Sequence, residues 1–474
     1  MNILGTDSFP LLSGAVDTDG PRRRHGAAAR VFSVWRRLTP HQILLLGYLV
    51  IALSGAALLS LPVSSADGAA QPFLDALFVA TSGISTSGLT VVNVGSYYSL
   101  FGQIVLLVVF QIGGIGYMGF VILMRYFLGM RGSIRTSLVA KESMAGTNLH
   151  VLRGFFVSVL LYALVFETIG AAVLAVHWAG DHPPARALYL AVFHSVSAFC
   201  TAGFSLFPGS LMACRDSIAV NATVIVLSLA GGLGFFVLRD LAALLRAKLK
   251  RKRGRLTVHS KLVLSVTATV VVAGALVMFL SEQWPGAMTG GERVLASVFQ
   301  SFSASTTDGF NTIDIGAMST ASLAFIMFMM FVGASPGSTG GGIKTTTFGL
   351  LLVLLWSRLK RQENNLFGRE LSERCVYDAV VVALCFVLIA FVDSVILSTT
   401  EKTTYLQNMF EIFSALGNTG LSMGITAGLS STAKAAIIVT MFIGRVGILI
   451  LAFALFSKPP KAAYRFPKED VLVG

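Results

Sequence analysis

Eight apolar runs, each about as long as a bilayer-spanning helix, constrain this sequence more than any other feature. The hydrocarbon core of a bilayer is about 30 Å thick, and an α-helix needs about 20 apolar residues to cross it. Because no water is available in that core, each run must satisfy its own backbone hydrogen bonds, which a helix does. The runs cover approximately residues 41–62, 101–128, 152–178, 217–243, 259–281, 318–357, 376–399 and 433–456.

The composition supports a membrane location. Charged residues form only 12% of the 474-residue chain, whereas hydrophobic residues form 54%. Soluble globular domains carry about 25% charged residues, so this chain is too apolar for that class. The predicted fold class is therefore an all-α polytopic membrane protein with eight transmembrane helices.

Positive charge follows the predicted topology. The chain carries a formal net charge of +13, concentrated in every second connection and near both ends. By the positive-inside rule these connections and both termini are cytoplasmic, which predicts a multi-pass protein of the plasma (inner) membrane in contact with membrane lipid. Docking of an acidic protein partner on the basic face stays open, and nucleic-acid binding is not predicted. The basic clusters lie at 22–24 and 36–37, 125–141, 246–261, 358–361 and 458–468.

Several other classes are excluded. Residues 1–38 lack the pattern of a cleaved signal peptide and are predicted to be a cytoplasmic tail, as are residues 458–474. The chain has no nucleophile motif and no paired catalytic constellation, so we predict no enzyme and no catalytic residues. The cysteines show neither paired nor CxxC spacing, which argues against disulfides and zinc; they are Cys200, Cys214, Cys375 and Cys385.

Four short segments between the predicted spans repeat one pattern. Each has phenylalanine ten residues before a glycine, serine six before it, a small residue five before it, and leucine or phenylalanine after it. Four ungapped matches at a near-constant period indicate internal repeats. The segments are Leu77–Thr90, Val192–Ser205, Val298–Asn311 and Met409–Ser422, and the predicted repeats are 39–130, 150–245, 257–358 and 374–457.

Each segment is too short and too polar at its end to cross the bilayer. We expect it to enter as a helix and turn back, so that every repeat is a helix, a re-entrant segment and a helix around a central pore. Irregular backbone at membrane depth survives where it is buried in protein or lines a cavity. Glycine lets carbonyl oxygens approach a central point, where a ring of them can replace the water around a monovalent cation. The alternative, that each glycine only caps a helix, is weakened by the fourfold alignment.

The stretch "GASPGSTGGGIKTTT", residues 333–347, interrupts the sixth run. It is a poor phosphate loop, because Ile343 separates Gly342 from Lys344 and no strand precedes it. Discontinuous helices with an unwound middle occur at ion paths, so we predict a movable intramembrane gate, with an inert kink as the alternative. Lys344 would add electrostatic repulsion. The gate residues are Gly333, Pro336, Gly337, Ser338, Thr339, Gly340, Gly341, Gly342 and Lys344.

Other polar residues lie within the runs. Arg445 is predicted to form a barrier beside the pore, with a buried ion pair between helices as the alternative. Glu167 and Asp393 could pair with arginines or a cation, although packing or helix-end roles are favoured. One column of the repeat is predicted to brace the glycine segments from behind and contains His194, Gln300 and Glu411.

These motifs resemble the Trk/Ktr/HKT superfamily of potassium transporters. The resemblance rests on the four glycine segments together with "QIGGIGYMGF", "CTAGF", "DGFNTIDIG" and the stretch at 333–347, and covers about residues 40–457. Eight spans without an extra N-terminal helix pair resemble the KtrB type, the membrane subunit of Ktr systems.

The resemblance implies a homodimer in which each subunit has its own ion path, and no cofactor in this chain. It also implies a cytoplasmic KtrA-type ring that binds ATP or ADP, and activation by Na+. Members with serine at the first filter glycine tend toward Na+, so Gly88 favours K+, whereas Asp308 departs from the usual small residue. A sodium or unselective pathway, and less readily a membrane enzyme, are the alternatives.

The implied K+ sites are at Gly88, Gly203, Gly309 and Gly420. The full implied selectivity filter comprises Ser85, Thr86, Ser87, Gly88, Cys200, Thr201, Ala202, Gly203, Thr306, Thr307, Asp308, Gly309, Gly417, Asn418, Thr419 and Gly420.

Overall fold

The computed structural model describes residues 40–116, 149–284 and 288–455. The predicted tails at 1–38 and 458–474 and the basic cluster at 125–141 lie outside the described residues. The helices are α1 (Pro40–Leu59), α2 (Phe73–Ser85), α3 (Val94–Tyr97), α4 (Leu100–Ile115), α5 (Leu149–Trp178), α6 (Pro184–Phe199), α7 (Ile218–Gly232), α8 (Phe235–Leu249), α9 (Val258–Ser281), α10 (Gly290–Thr306), α11 (Thr320–Val332), α12 (Thr345–Leu359), α13 (Glu373–Thr400), α14 (Tyr405–Gly417), α15 (Ser431–Val446) and α16 (Ile448–Leu455).

The described part of the chain is mostly helical. Within the described ranges, strands occur only as a hairpin of two short strands, β1 (Asn365–Leu366) and β2 (Arg369–Glu370). A 3-10 turn follows α1, and others precede α7, α11 and α15. Among the described residues, three helical stretches are long and apolar enough to cross a membrane: Val157–Trp178, α9 and α13. A fourth span results if the bent pair α7 and α8 is counted as one. The number of eight spans stays a prediction.

Two runs predicted to be continuous are broken. The run at 217–243 divides into α7 and α8, and the chain bends by 104° between them, beside Gly234. The run at 433–456 divides into α15 and α16 at Gly447. Both glycines have a φ of 87°, a conformation that ends a helix and that glycine adopts without steric cost. The prediction of one broken span in repeat three was therefore incomplete.

Four short helices, α2, α6, α10 and α14, carry the repeated glycine segments at their C-terminal ends. Their first turns are defined locally, by prolines before α2 and α6 and by capping boxes at Thr289 and Thr404. The aligned phenylalanines anchor them in the core, since all four are at most 1% exposed; they are Phe78, Phe193, Phe299 and Phe410.

The short helices also contact the neighbouring pair of long helices. Helix α6 packs against α4, α10 against α7, and α14 against α11, and the series closes because α2 packs against α15. An ion pair lies at this closure, with Lys434 Nζ 2.7 Å from Asp75 Oδ1 and their side chains 14% and 24% exposed. The beginning and end of the described chain are thus joined by packing and by charge.

We expect Lys434→Met to destabilise the protein by about 1–3 kcal/mol, because it leaves the largely buried Asp75 carboxylate unpaired. The double variant Asp75→Leu with Lys434→Met should lose less than the sum of the two single changes, as measured by thermal unfolding in detergent. Arg374→Met is the matched control, since its pair with Asp378 is 83% and 51% exposed and should contribute little. Additive effects at Asp75 and Lys434 would contradict the coupling.

Candidate functional site

The four short helices end in one repeated backbone conformation. A left-handed residue follows each helix, with φ of 54° at Thr86, 49° at Thr201, 57° at Thr307 and 51° at Asn418. Two residues later stands the aligned glycine, again at positive φ, between 66° and 90°. In every segment the residue between them donates its N–H to the carbonyl of the aligned serine, at 2.8 to 2.9 Å. The four segments therefore have the same local structure.

The left-handed residue at each helix end is threonine or asparagine, and not the aligned glycine; in α6, Cys200 stands between the helix and Thr201. Thr86, for example, is the left-handed residue whose N–H meets the Gly83 carbonyl at 3.0 Å. A left-handed residue in this place satisfies the last carbonyls of a helix. The interpretation of the glycines as simple helix caps is therefore wrong. The presence of glycine at the same place in all four segments needs another explanation.

That explanation is a closed ring, which we call the glycine ring: Gly88, Gly203, Gly309 and Gly420. A methyl group placed on Gly88 would lie 2.7 Å from the Ala202 carbonyl oxygen, and one on Gly203 would lie 2.6 Å from that of Asp308. Gly309 faces the Thr419 carbonyl so closely that a methyl group would overlap it.

Gly420 closes the glycine ring, because a methyl group on it would overlap the Ser87 carbonyl. Each glycine thus contacts the next segment in chain order, and the fourth returns to the first. Any Cβ in the ring would displace a neighbouring backbone, in addition to the cost of positive φ. Four successive segments are in this way forced around one point.

Side chains behind the ring brace it unequally. His194 contacts Leu190 O at 2.8 Å and Ser205 Oγ at 3.0 Å, and Glu411 accepts a hydrogen bond from Thr426. Gln300, in the same column, is fully buried without a hydrogen-bond partner among the described residues. Within this column of the described residues, His194 and Glu411 therefore tie their helix to the chain after the glycine, whereas Gln300 does not.

Asp308 lies directly beside the ring. Its side chain is 1% exposed, and neither carboxylate oxygen has a hydrogen-bond partner in the described part of the chain. A buried carboxylate without a partner costs considerable free energy unless it is neutral or meets a cation. The Asp308 side chain therefore caps no turn of the described residues.

The segment between α11 and α12, residues 333–344, packs against the ends of all four short helices; we call it the intramembrane loop. Thr345–Thr347 belong to α12, so the loop is shorter than predicted. Thr339 is fully buried and accepts a hydrogen bond on its carbonyl from Thr86 Oγ1 at 3.0 Å. Its hydroxyl lies 3.0 Å from Thr201 Oγ1.

Two glycines of the loop make the remaining contacts. The Gly341 N–H donates to Thr307 Oγ1 at 3.1 Å, and a methyl group on Gly341 would overlap the Gly417 carbonyl. A methyl group on Gly340 would overlap Thr307 Oγ1. The intramembrane loop therefore fits against the chain just before the glycine ring in every repeat. The exposed part of the loop is Gly337, with Pro336 and Ser338 half-buried.

Arg445 reaches this loop from α15. Its guanidinium donates to the carbonyls of Thr339 and Gly113, and it forms no ion pair with any described residue. The alternative of a buried ion pair is therefore not supported. Glu167 accepts from Gln111 Nε2 at 2.9 Å, and Asp393 accepts from Thr440 Oγ1 at 2.5 Å, so neither pairs with an arginine.

The sequence analysis overlooked one feature that the structure places at the site. The second helices of the repeats also share a motif, "GGIG" at 113–116, "GGLG" at 231–234, "GGIK" at 341–344 and "GRVG" at 444–447. Gly113, Gly231 and Gly444 press on the carbonyls of Ile84, Phe199 and Leu416 near the ends of the short helices. Alignment of the four second helices would have found it, and shows that Arg445 and Lys344 each replace a glycine.

Comparison with known proteins agrees with this architecture. The family model for TrkH, described as a cation transport protein, matches residues 39–464. The potassium/sodium uptake protein NtpJ of Enterococcus hirae is 35% identical, over 93% of this chain and 98% of its own. The Ktr system potassium uptake protein B of Bacillus subtilis is 34% identical, over 93% and 98% respectively.

A solved structure shows the same fold. The crystal structure of the potassium transporter TrkH from Vibrio parahaemolyticus superposes with a TM-score of 0.70, covering 88% of this chain and 84% of that one, at 21% identity. The protein is thus a membrane transporter of cations and not an enzyme. The chain belongs to the TrkH family of cation transport proteins.

We expect Gly309→Ala to abolish cation uptake, because its methyl group would overlap the Thr419 carbonyl and open the ring. Gly424→Ala is the matched control: its φ of 86° is equally unfavourable for alanine, but no atom lies within 4 Å of the added carbon. Rb+ uptake and thermal unfolding of both variants separate ring disruption from backbone strain. Equal uptake by the two variants would contradict the importance of the close approach.

Proposed function

We propose that this protein takes up K+ across the plasma membrane as the ion-conducting subunit of a Ktr-type system. The single observation that carries the proposal is the glycine ring, in which four repeated segments meet in cyclic order. A fourfold convergence of glycine backbone supports a selectivity filter, because carbonyl oxygens can surround a dehydrated monovalent cation there. The four helix, re-entrant segment, helix repeats and eight spans of the sequence interpretation belong to this proposal.

In the proposed filter, the K+ sites are formed by the backbone of residues 85–88, 200–203, 306–309 and 417–420. The C-terminal ends of α2, α6, α10 and α14 lie beside it, and helix C-termini carry a partial negative charge that favours a cation. The repeated hydrogen bond to the aligned serine holds each segment in place at 2.8 to 2.9 Å. Such preorganisation supports discrimination between ions of different size.

The intramembrane loop is proposed as the gate. Its contacts with Thr86, Thr201 and Thr307 support a position across the path. Arg445 would add a positive barrier and a tie to the loop, since it donates to the Thr339 carbonyl. The packing of the loop against all four segments favours a gate over an inert kink.

Control by a second protein is the remaining part of the proposal. The name of the Bacillus relative describes one protein of a Ktr system, which supports a partner subunit. We propose a cytoplasmic KtrA-type ring that binds ATP or ADP, docking on a homodimer of this chain, with Na+ as an activator. The exposed basic residues Arg251, Lys252 and Arg253 supply a surface for it.

A sodium or unselective pathway on the same fold is the second candidate. It is favoured by Asp308, whose unpartnered carboxylate lies beside the ring, and by the Enterococcus relative, which is named for both potassium and sodium. Reconstitution in liposomes, with and without the partner, decides between the candidates. K+ uptake should be inhibited by Rb+ and little by Na+; equal competition by Na+ would favour the second candidate, and no cation flux would contradict both.

Gly88→Ser should weaken discrimination against Na+. The serine Cβ would lie 2.7 Å from the Ala202 carbonyl oxygen, so that one carbonyl of the proposed filter must move. We expect a fall of about tenfold in the K+/Na+ uptake ratio, which corresponds to about 1.4 kcal/mol of lost discrimination. Isotope uptake under competition measures it, and an unchanged ratio would contradict the filter assignment.

Deletion of Gly337–Gly341 should raise flux in the absence of any partner, because it removes Thr339 and its contacts with Thr86 and Thr201. The initial rate of Rb+ uptake into liposomes measures the change. The same deletion combined with Gly309→Ala is the control, since a leak outside the proposed filter would survive it. Flux at or below that of the unmodified protein would argue for an inert kink.

A further inference from the structure

In three repeats the second helix breaks at one equivalent residue, and in the first repeat the described helix ends at that residue. The backbone angles φ and ψ are 90° and 125° at Gly116, 87° and 144° at Gly234, and 87° and 136° at Gly447. The equivalent residue in the third repeat is Lys344, with 86° and 139°. The same conformation is therefore imposed on three glycines and one lysine.

This conformation suits glycine alone among these residues. For a residue with a Cβ, positive φ with extended ψ is sparsely populated and persists only where the surroundings compensate for the strain. Lysine is thus the wrong residue for the local backbone, and the fourfold comparison shows what the expected residue would be. The Lys344 N–H donates to the Val332 carbonyl at 3.0 Å, and its side chain gives further compensation.

The Lys344 ammonium supplies it by folding back on the intramembrane loop. Nζ donates to the Gly340 carbonyl at 2.6 Å and to the Gly341 carbonyl at 3.2 Å. These glycines are the two that press against Thr307 and Gly417 at the helix ends. The lysine therefore holds the part of the loop that lies closest to the glycine ring.

Arg445 extends the same arrangement by one residue, since it donates to the Thr339 carbonyl. Three consecutive carbonyls, those of residues 339–341, are thus bound by two cationic side chains from different helices. Carbonyl oxygens are the groups that a K+ ion would otherwise meet on a path through the loop. While the ammonium is bound, two of them are occupied.

We propose that Lys344 is a strained latch: its ammonium keeps the intramembrane loop closed, and its backbone strain is released when the loop leaves. This inference rests on the proposed function in one respect, namely that the intramembrane loop is the gate. It differs from simple repulsion of ions by Lys344, because the positioning depends on bonds to Gly340 and Gly341 and on the conformation at residue 344.

The two parts of the latch can be separated by substitution. Lys344→Met removes the ammonium and keeps the strain, so the loop should open most. Lys344→Gly removes both, because glycine accepts the observed angles. Lys344→Arg retains a cation that can bind the same carbonyls. The expected order of loop opening is Met above Gly, with Gly above Arg and the unmodified protein.

Cysteine labelling of the loop tests this order without any ion flux. Ser335 is 1% exposed, so Ser335→Cys, in a background with Cys214, Cys375 and Cys385 replaced by serine, should label slowly with a methanethiosulfonate reagent. The same background without Ser335→Cys corrects for Cys200. Added Lys344→Met should speed labelling by about tenfold, given the size of such strain, and Lys344→Gly by about threefold or less.

Gly116→Met is the matched control. It imposes the same strain at the equivalent residue, with no described atom within 4 Å of the new Cβ, so labelling should stay unchanged. Equal labelling of the Lys344→Met and unmodified proteins would overturn the latch, and equal labelling of Met and Gly would overturn the role of strain.

Rb+ uptake by the unmodified protein is measured in parallel. Its absence would contradict the proposed function, while the labelling order would still report whether Lys344 holds the loop.

Discussion

The structure depends on the close approach of four glycines, each against the carbonyl of the next repeated segment. Gly88 and Gly203 lie where even one added carbon would come within 2.7 Å of a neighbouring carbonyl oxygen. Such contact is open only to residues without a Cβ. Because the series is cyclic, no segment can move without disturbing two others. The left-handed helix ends lie two residues before the ring glycines, and the intramembrane loop packs against these helix ends.

The surrounding structure turns that local constraint into a site. The left-handed residues at the helix ends do two things: they finish the helices, and the threonines among them offer hydroxyls to the loop. Thr86 and Thr307 bind the loop backbone, while Thr201 meets the Thr339 hydroxyl. The glycine ring and the proposed gate are thus connected through single residues. Displacement of the loop would therefore break a hydrogen bond at Thr86, Thr201 and Thr307.

The sequence was sufficient for the parts that depend on repeated local pattern. The glycine columns, the short helices and the interrupted run at 333–347 could be predicted, because each has a residue type that its backbone requires. The breaks at Gly234 and Gly447 were not predicted, since glycines in an apolar run are compatible with an unbroken helix, and only alignment of the four second helices places both glycines at one equivalent position. Asp308 and Gln300 were also unpredictable, because a missing hydrogen-bond partner is a property of the neighbours.

By itself, then, the sequence determined the membrane class, the fourfold pattern and the four aligned glycines, whose lack of a side chain allows close packing. Only the tertiary structure decided the cyclic order of the ring, the contacts of Arg445 with carbonyls, and the strained backbone of Lys344. The physical reason is that periodicity and residue type act over a few turns of helix. A ring of contacts between Gly88 and Gly420, by contrast, depends on how all the intervening helices pack.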